Sequence, residues 1–172
     1  MEDHDTTPGL GTRRSPRAPV MTAGAAPTFF VAGSIVFMVA GGLHVLGTLV
    51  DTVRPTYFAP IDRSVKAVIE GTGIRFRSMF PPAGSGATPS LWRVWLGIHI
   101  THGLGAFAFG LLCLVIAGHD FRLVEQIAVL RPLTIAISVA YLVVCLRFFF
   151  YAPTVLVGIA TACFTMATVL SS

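Results

Sequence analysis

The sequence predicts an all-α integral membrane protein: an antiparallel four-helix bundle with a long first loop that carries a short amphipathic helix. Three observations predict it. Hydrophobic residues make up 54% of the 172-residue chain and charged residues 12%, at a mean hydropathy of +0.78, which is too apolar for an ordinary soluble domain. Four apolar runs reach or approach the length of about 20 residues that a helix needs to cross roughly 30 Å of hydrocarbon. The last two runs are separated only by a short aromatic and proline-containing link, which folds them into a tight helical hairpin.

Residues 1–27 form a Pro-, Thr-, Gly- and Arg-rich tail of the disordered type, because they hold almost no large apolar side chain with which to build a core. Met21 offers an alternative start. The remainder, 28–172, is the four-span domain. Its first span runs from Thr28 to Val50. Arg13, Arg14 and Arg17 precede it as they would a secretory signal, but the apolar run is too long, and "GGLHVLGTLVD" has no small-x-small cleavage site followed by polar sequence. It reads as a retained span.

The loop of residues 51–90 is the largest polar segment and is long for such a protein. In "PIDRSVKAVIEG", Ile61, Val65, Val68 and Ile69 recur at helical spacing, opposite Asp62, Arg63, Lys66 and Glu70, with Gly71 as a stop. The expected element is a short helix lying on the membrane or on a partner. Downstream, Arg75 and Arg77 alternate with Phe76, Met79 and Phe80, the pattern of an interfacial loop or of a surface that docks lipid or a partner. "AGSGATPS" then gives a flexible link.

The second span is read as Leu91 to Ala117, the third as Ile127 to Leu146 and the fourth as Ala152 to Ser171. Arg131 and Pro132 interrupt the start of the third; the arginine can snorkel to the headgroups, and a late start near Leu133 is the alternative. Pro153 suits the first turn of the fourth helix, and Arg147 and Tyr151 suit an interface. Four spans put both termini on one side. That side carries Arg13, Arg14, Arg17, Arg122 and Arg131, and the other Arg54, Arg63, Lys66, Arg75, Arg77, Arg93 and Arg147. The positive-inside rule therefore expects a cytoplasmic first loop.

The net charge of +4 sits in tail and loops, where it fits topology and anionic lipid better than nucleic acid. Cys113, Cys145 and Cys163 fall inside spans without paired spacing and read as packing residues.

Each span has a face of small or polar residues at i, i+3, i+4, i+7 steps, the feature that lets membrane helices pack. These are Gly33, Ala40, His44, Gly47 and Asp51; His99, His102, Gly103, Ala106 and Gly110; Thr134, Ser138, Tyr141 and Cys145; and Thr154, Gly158, Thr161, Thr165 and Thr168. His44 and His99 both sit about 7 Å from the midplane on the first-loop side, at 1.5 Å per residue, with His102 one turn deeper. His44, His99, His102 and Tyr141, with Thr154 beside them, are the candidate cofactor-binding cluster. A polar group in hydrocarbon is costly without a partner, so intramembrane histidines are functional candidates. Four roles fit them: fixing helix register, ligating a haem or chlorin, forming a quinone or proton site, or holding a metal through three histidines. The absence of an intramembrane carboxylate counts against the metal, and no catalytic residue is assigned, because the sequence has no nucleophile motif, phosphate loop or CxxC. Transport is disfavoured because no charge lies deep in a span and no proline breaks one in the middle.

The stretches "GGLHVLGTL", "SLWRVWLGIHITHGLGAFAFGLL" and "LRFFFYAPTVLVGIATAC" together resemble a family of small bacterial four-helix integral membrane proteins of uncharacterised function. The resemblance covers nearly everything from Ala26 onward. It carries over to His44, Trp92, Arg93, His102, Gly103 and Gly105, while the position of His99 looks less fixed in the family. The expected role is a non-catalytic accessory or scaffold subunit of a larger bacterial membrane complex, respiratory or photosynthetic, whose partners are the bilayer and other membrane subunits. The alternative is a small cofactor-binding or quinone-linked redox protein that uses the intramembrane histidines.

Overall fold

A computed structural model describes residues 24–73 and 89–171. Among these the protein is all-helical, with no strand and one isolated bridge, Gly73 to Ser90. The helices are α1 (Ala25–Val53), α2 (Arg63–Gly71), α3 (Leu91–Asp120), α4 (Arg122–Gln126), α5 (Leu130–Phe148) and α6 (Tyr151–Leu170). Four of them, α1, α3, α5 and α6, are long and apolar enough to cross a membrane. Each keeps most of its apolar side chains outward: 28% or less of each apolar window is buried inside the protein. That distribution is what lipid-facing helices require, because tails solvate Leu and Val as well as a protein core does.

The spans follow the sequence reading with shifts at their ends. α1 starts at Ala25 rather than Thr28, and α3 runs on to Asp120. α5 starts at Leu130, between the two starts the sequence allowed. The difference has a local cause, because the residues before it form the short helix α4, which the sequence reading did not foresee. Asp120 Oδ1 accepts the Arg122 N–H at 2.9 Å and turns the chain into α4, and Val124 is buried beneath it. Arg131 does more than snorkel. Its guanidinium donates to the carbonyls of Val124, Glu125 and Ser171, so it ties the end of α4 to the end of α6.

α1 is the central helix. It packs on α3 along one side and on α6 along another, and α6 packs on α5. Close approach of α1 and α3 depends on glycine. A Cβ on Gly41 would lie 2.3 Å from the Phe107 backbone N, and one on Gly110 would lie 2.5 Å from the Met38 N. The α1–α3 contacts run in opposite chain order, with Ser34 and Met38 against Gly110, Gly41 against Phe107, and Val45 against Gly103. Where α1 meets α6, an edge-on aromatic cluster fills the core: Phe37 contacts Phe109 and Tyr141, and Phe30 contacts Phe121 and Phe164. Such edge-to-face pairs stabilise by roughly 0.5–1.5 kcal/mol each beyond area burial.

The expected polar face of the fourth span is corrected. The residues α6 buries are Val157, Ala160, Phe164 and Ala167, while Thr165 is exposed. Thr161, Thr165 and Thr168 donate to the carbonyls four residues back, so their hydroxyls need no partner on another helix. Phe164 takes the core position instead.

The amphipathic helix expected in the first loop is α2. Asp62 is its N-cap, accepting from the Ser64 N–H at 2.8 Å, and Lys66 pairs with Glu70 at 2.6 Å. The end of α2 is fastened to the start of α3 by the Leu91 N–H donating to Thr72 O at 2.8 Å. Arg75, Phe76, Arg77, Met79 and Phe80 lie outside the described residues.

Candidate functional site

The carboxylate of Asp51, fully buried at the end of α1, organises the site. Its Oδ1 accepts the backbone N–H groups of Thr56 and Tyr57 at 2.7 and 2.8 Å, and its Oδ2 accepts that of Phe58. Three charge-assisted bonds to one anion compensate its removal from water and fold residues 54–58 back over the helix end. Phe58 is held from the other side as well, because Trp95 Nε1 donates to its carbonyl at 3.3 Å. Gly47 leaves room for the incoming ring: a Cβ there would lie 3.2 Å from Phe58.

Phe58 is thereby set against two histidines. Its ring stacks on His99 at 4.9 Å between centroids and lies 4.8 Å from His44. His44 Nε2 and His99 Nδ1 are hydrogen-bonded at 3.1 Å. Gly103 makes this pairing possible, since a Cβ at that position would come within 2.9 Å of the His44 ring. His102 is 5.6 Å from His44, lies nearly parallel to Phe149 at 5.7 Å and 14°, and tilts over Tyr141 at 5.1 Å.

The structure therefore brings together all four residues of the predicted cluster, His44, His99, His102 and Tyr141. Thr154 does not join them through its hydroxyl, which bonds the Phe150 carbonyl on its own helix. Arg147 also stays out, with its guanidinium over the Phe148 ring. Sequence reasoning missed Phe58, Trp95 and Phe149 as site residues. Trp95 carried a signal, being four residues before His99 on the same face of α3. Phe58 carried none until Asp51 was seen to gather the loop amides.

Packing explains why the cluster is open. α1 joins α3 and α6, and α6 joins α5, but α3 and α5 do not close on each other in the same way. The seam between them holds a cavity of about 710 Å³, walled by His99, His102 and Trp95 from α3, by Val144, Phe148 and Phe149 from α5, and by Tyr57 and Phe58 from the loop. A second space of about 40 Å³ lies behind it, among His44, His102 and Tyr141. It has the size and polar lining to take one water. A third cavity, of about 440 Å³ and lined by aliphatic and aromatic side chains, lies under α2 between Ile69, Trp92 and Trp95.

Every fully buried side-chain N or O atom among the described residues has a hydrogen-bond partner. His102 has no hydrogen bond from its ring among these residues, and His99 has only the one to His44. Their open nitrogens are therefore accessible atoms at the cavity. Among the described residues no group of three His, Cys, Asp or Glu is arranged to hold a metal ion. His44 Nε2 and His99 Nδ1, at 3.1 Å, share a hydrogen bond rather than the spacing of two ligands on one metal, which is about 4 Å on bonds near 2 Å. Compared with known proteins, the chain matches no protein-family model, no curated protein and no solved structure.

Proposed function

We propose that this chain is a multi-pass protein of a bacterial inner membrane, an antiparallel four-helix bundle with its first loop on the cytoplasmic side, and that it binds a flat, neutral, membrane-soluble ligand in the seam between α3 and α5. It is on this reading a small cofactor-binding or quinone-linked membrane protein. One observation carries it: His102, whose ring makes no hydrogen bond among the described residues, is stacked on Phe149 at the wall of an aromatic cavity of about 710 Å³. That volume lies in the range of roughly 300–1,000 Å³ typical of small-molecule sites, where a few polar groups orient a ligand held by apolar walls. The opposite chain order of the α1 and α3 contacts and the lipid-like exposure of the four long helices support the bundle.

Trp95 on the cavity wall supplies the test. Purified protein titrated with 2-methyl-1,4-naphthoquinone should show saturable quenching of Trp95 fluorescence, read against Trp95→Phe, and His102→Ala should weaken binding about ten-fold or more, the loss of roughly 1.4 kcal/mol. Quenching that rises linearly without saturation would overturn the reading.

A second reading, the accessory or scaffold subunit, has its own supporting observation. α2 holds Val65 and Val68 exposed, at 46% and 66%, on a helix whose end is fastened to the start of α3. On that reading mild-detergent purification recovers stoichiometric partner subunits, and a monodisperse homomer sinks it.

A further inference from the structure

The His44–His99 hydrogen bond links what His44 does to what the cavity can bind. Two neutral imidazoles each carry one N–H, and only one proton fits between His44 Nε2 and His99 Nδ1, 3.1 Å apart. There are then two arrangements. If His44 donates through Nε2, the proton of His99 is on its Nε2, and that atom is a donor. If His99 donates through Nδ1, its Nε2 is bare and can only accept. Passing from one to the other moves the shared proton across the hydrogen bond from His44 Nε2 to His99 Nδ1, releases the His99 Nε2 proton to water and takes one up from water at His44 Nδ1, with no heavy atom moved.

No charged side chain lines this cavity among the described residues. Arg147, the nearest cation in sequence on α5, is turned onto Phe148. A carboxylate or phosphate ligand would find no cation among the described wall residues, which counts against an anionic occupant. The walls suit a flat ring: Phe149 lies 14° from parallel with His102, and Phe58 lies 29° from His99. What remains is a neutral ring with a polar edge.

We propose that the seam takes a quinone-class ligand, and that the His44–His99 pair allows one pocket to hold both its oxidised and its reduced form. This rests on the ligand-binding reading above. The oxidised ring offers a carbonyl, which only accepts, and is met by His99 Nε2–H. The reduced ring offers a hydroxyl, which donates to a bare His99 Nε2. His102, with neither nitrogen hydrogen-bonded among the described residues, adapts to the opposite edge. A pair of polar groups fixed as donors would instead favour the carbonyl form, because a hydroxyl facing a donor leaves a proton unsatisfied.

Nitrogen-15 NMR of histidine-labelled protein, with 2-methyl-1,4-naphthoquinone and then with its dithionite-reduced quinol under anaerobic conditions, reads the tautomers directly. His99 should carry its proton on Nε2 with the quinone and on Nδ1 with the quinol. His44→Phe keeps a ring but removes the partner of Nδ1. A buried N–H without an acceptor is costly, so His99 should lock as the Nε2–H form. The variant is then expected to lose quinol affinity about ten-fold more than it loses quinone affinity. The same His99 tautomer with both ligands, alongside saturable Trp95 quenching, would overturn this inference and leave the binding site standing. Failure of both probes to move any histidine resonance would remove the binding site and the inference together.

Discussion

Asp51, His44, His99 and His102 divide two tasks among them. Asp51 holds the loop that seats Phe58, and the histidines face what Phe58 covers. Asp51→Ala leaves three loop amides without their acceptor, and it should destabilise by roughly 1–3 kcal/mol, read as an earlier thermal transition in detergent by circular dichroism. Asp51→Asn keeps one acceptor oxygen and should lose less. The histidine cluster was legible in the sequence because helical spacing and position along each apolar helix are enough to bring residues of neighbouring helices to one level. The loop contribution was not legible, since nothing local in "TYF" indicates that three consecutive amides converge on a carboxylate at the end of the preceding helix.

At the scale of the helices, glycine decides how close they come. Gly41→Ala drives a methyl into the Phe107 backbone, which cannot swing aside as a side chain can, so it should cost about 1–3 kcal/mol through overpacking. Gly97→Ala, with nothing within 4 Å of its added Cβ, should instead gain up to about 1 kcal/mol from helix propensity. Opposite signs in one unfolding experiment check the α1–α3 interface. α2 gives a pH-dependent counterpart. The hydroxyl and backbone N–H of Ser64 hold Asp62 below its ordinary carboxylate value of 3.8. A depressed carboxyl contributes stability that is present above the unfolded value and lost as pH falls through the folded one. Cα chemical shifts of α2 should therefore stay helical down to about pH 4 and move toward coil only below it. Periodicity made α2 and the four spans legible to within a turn. α4 was not, because five residues between two spans are too short to show a period, and its existence depends on Asp120 and on Arg131 reaching back to its carbonyls. The faces of α6 were misjudged for a related reason: threonine satisfied within its own helix looks polar in sequence and behaves as filler in structure.

Taken whole, the molecule is a set of four apolar helices with an open seam between α3 and α5, walled mostly by aromatic and aliphatic side chains, onto which His99 and His102 bring the imidazoles. On the proposed reading a ligand sits in this seam against His102. The measurement that tests it most directly is an absorption spectrum, oxidised and reduced, of the protein purified from its native membrane in mild detergent, with mass spectrometry of the small molecules that accompany it. The account predicts a near-stoichiometric ring compound that is lost from His102→Ala while helix content by circular dichroism is unchanged. A colourless wild-type preparation with no bound small molecule, carrying the same lipids as His102→Ala, would contradict it and leave the histidines as the fastening between α1 and α3.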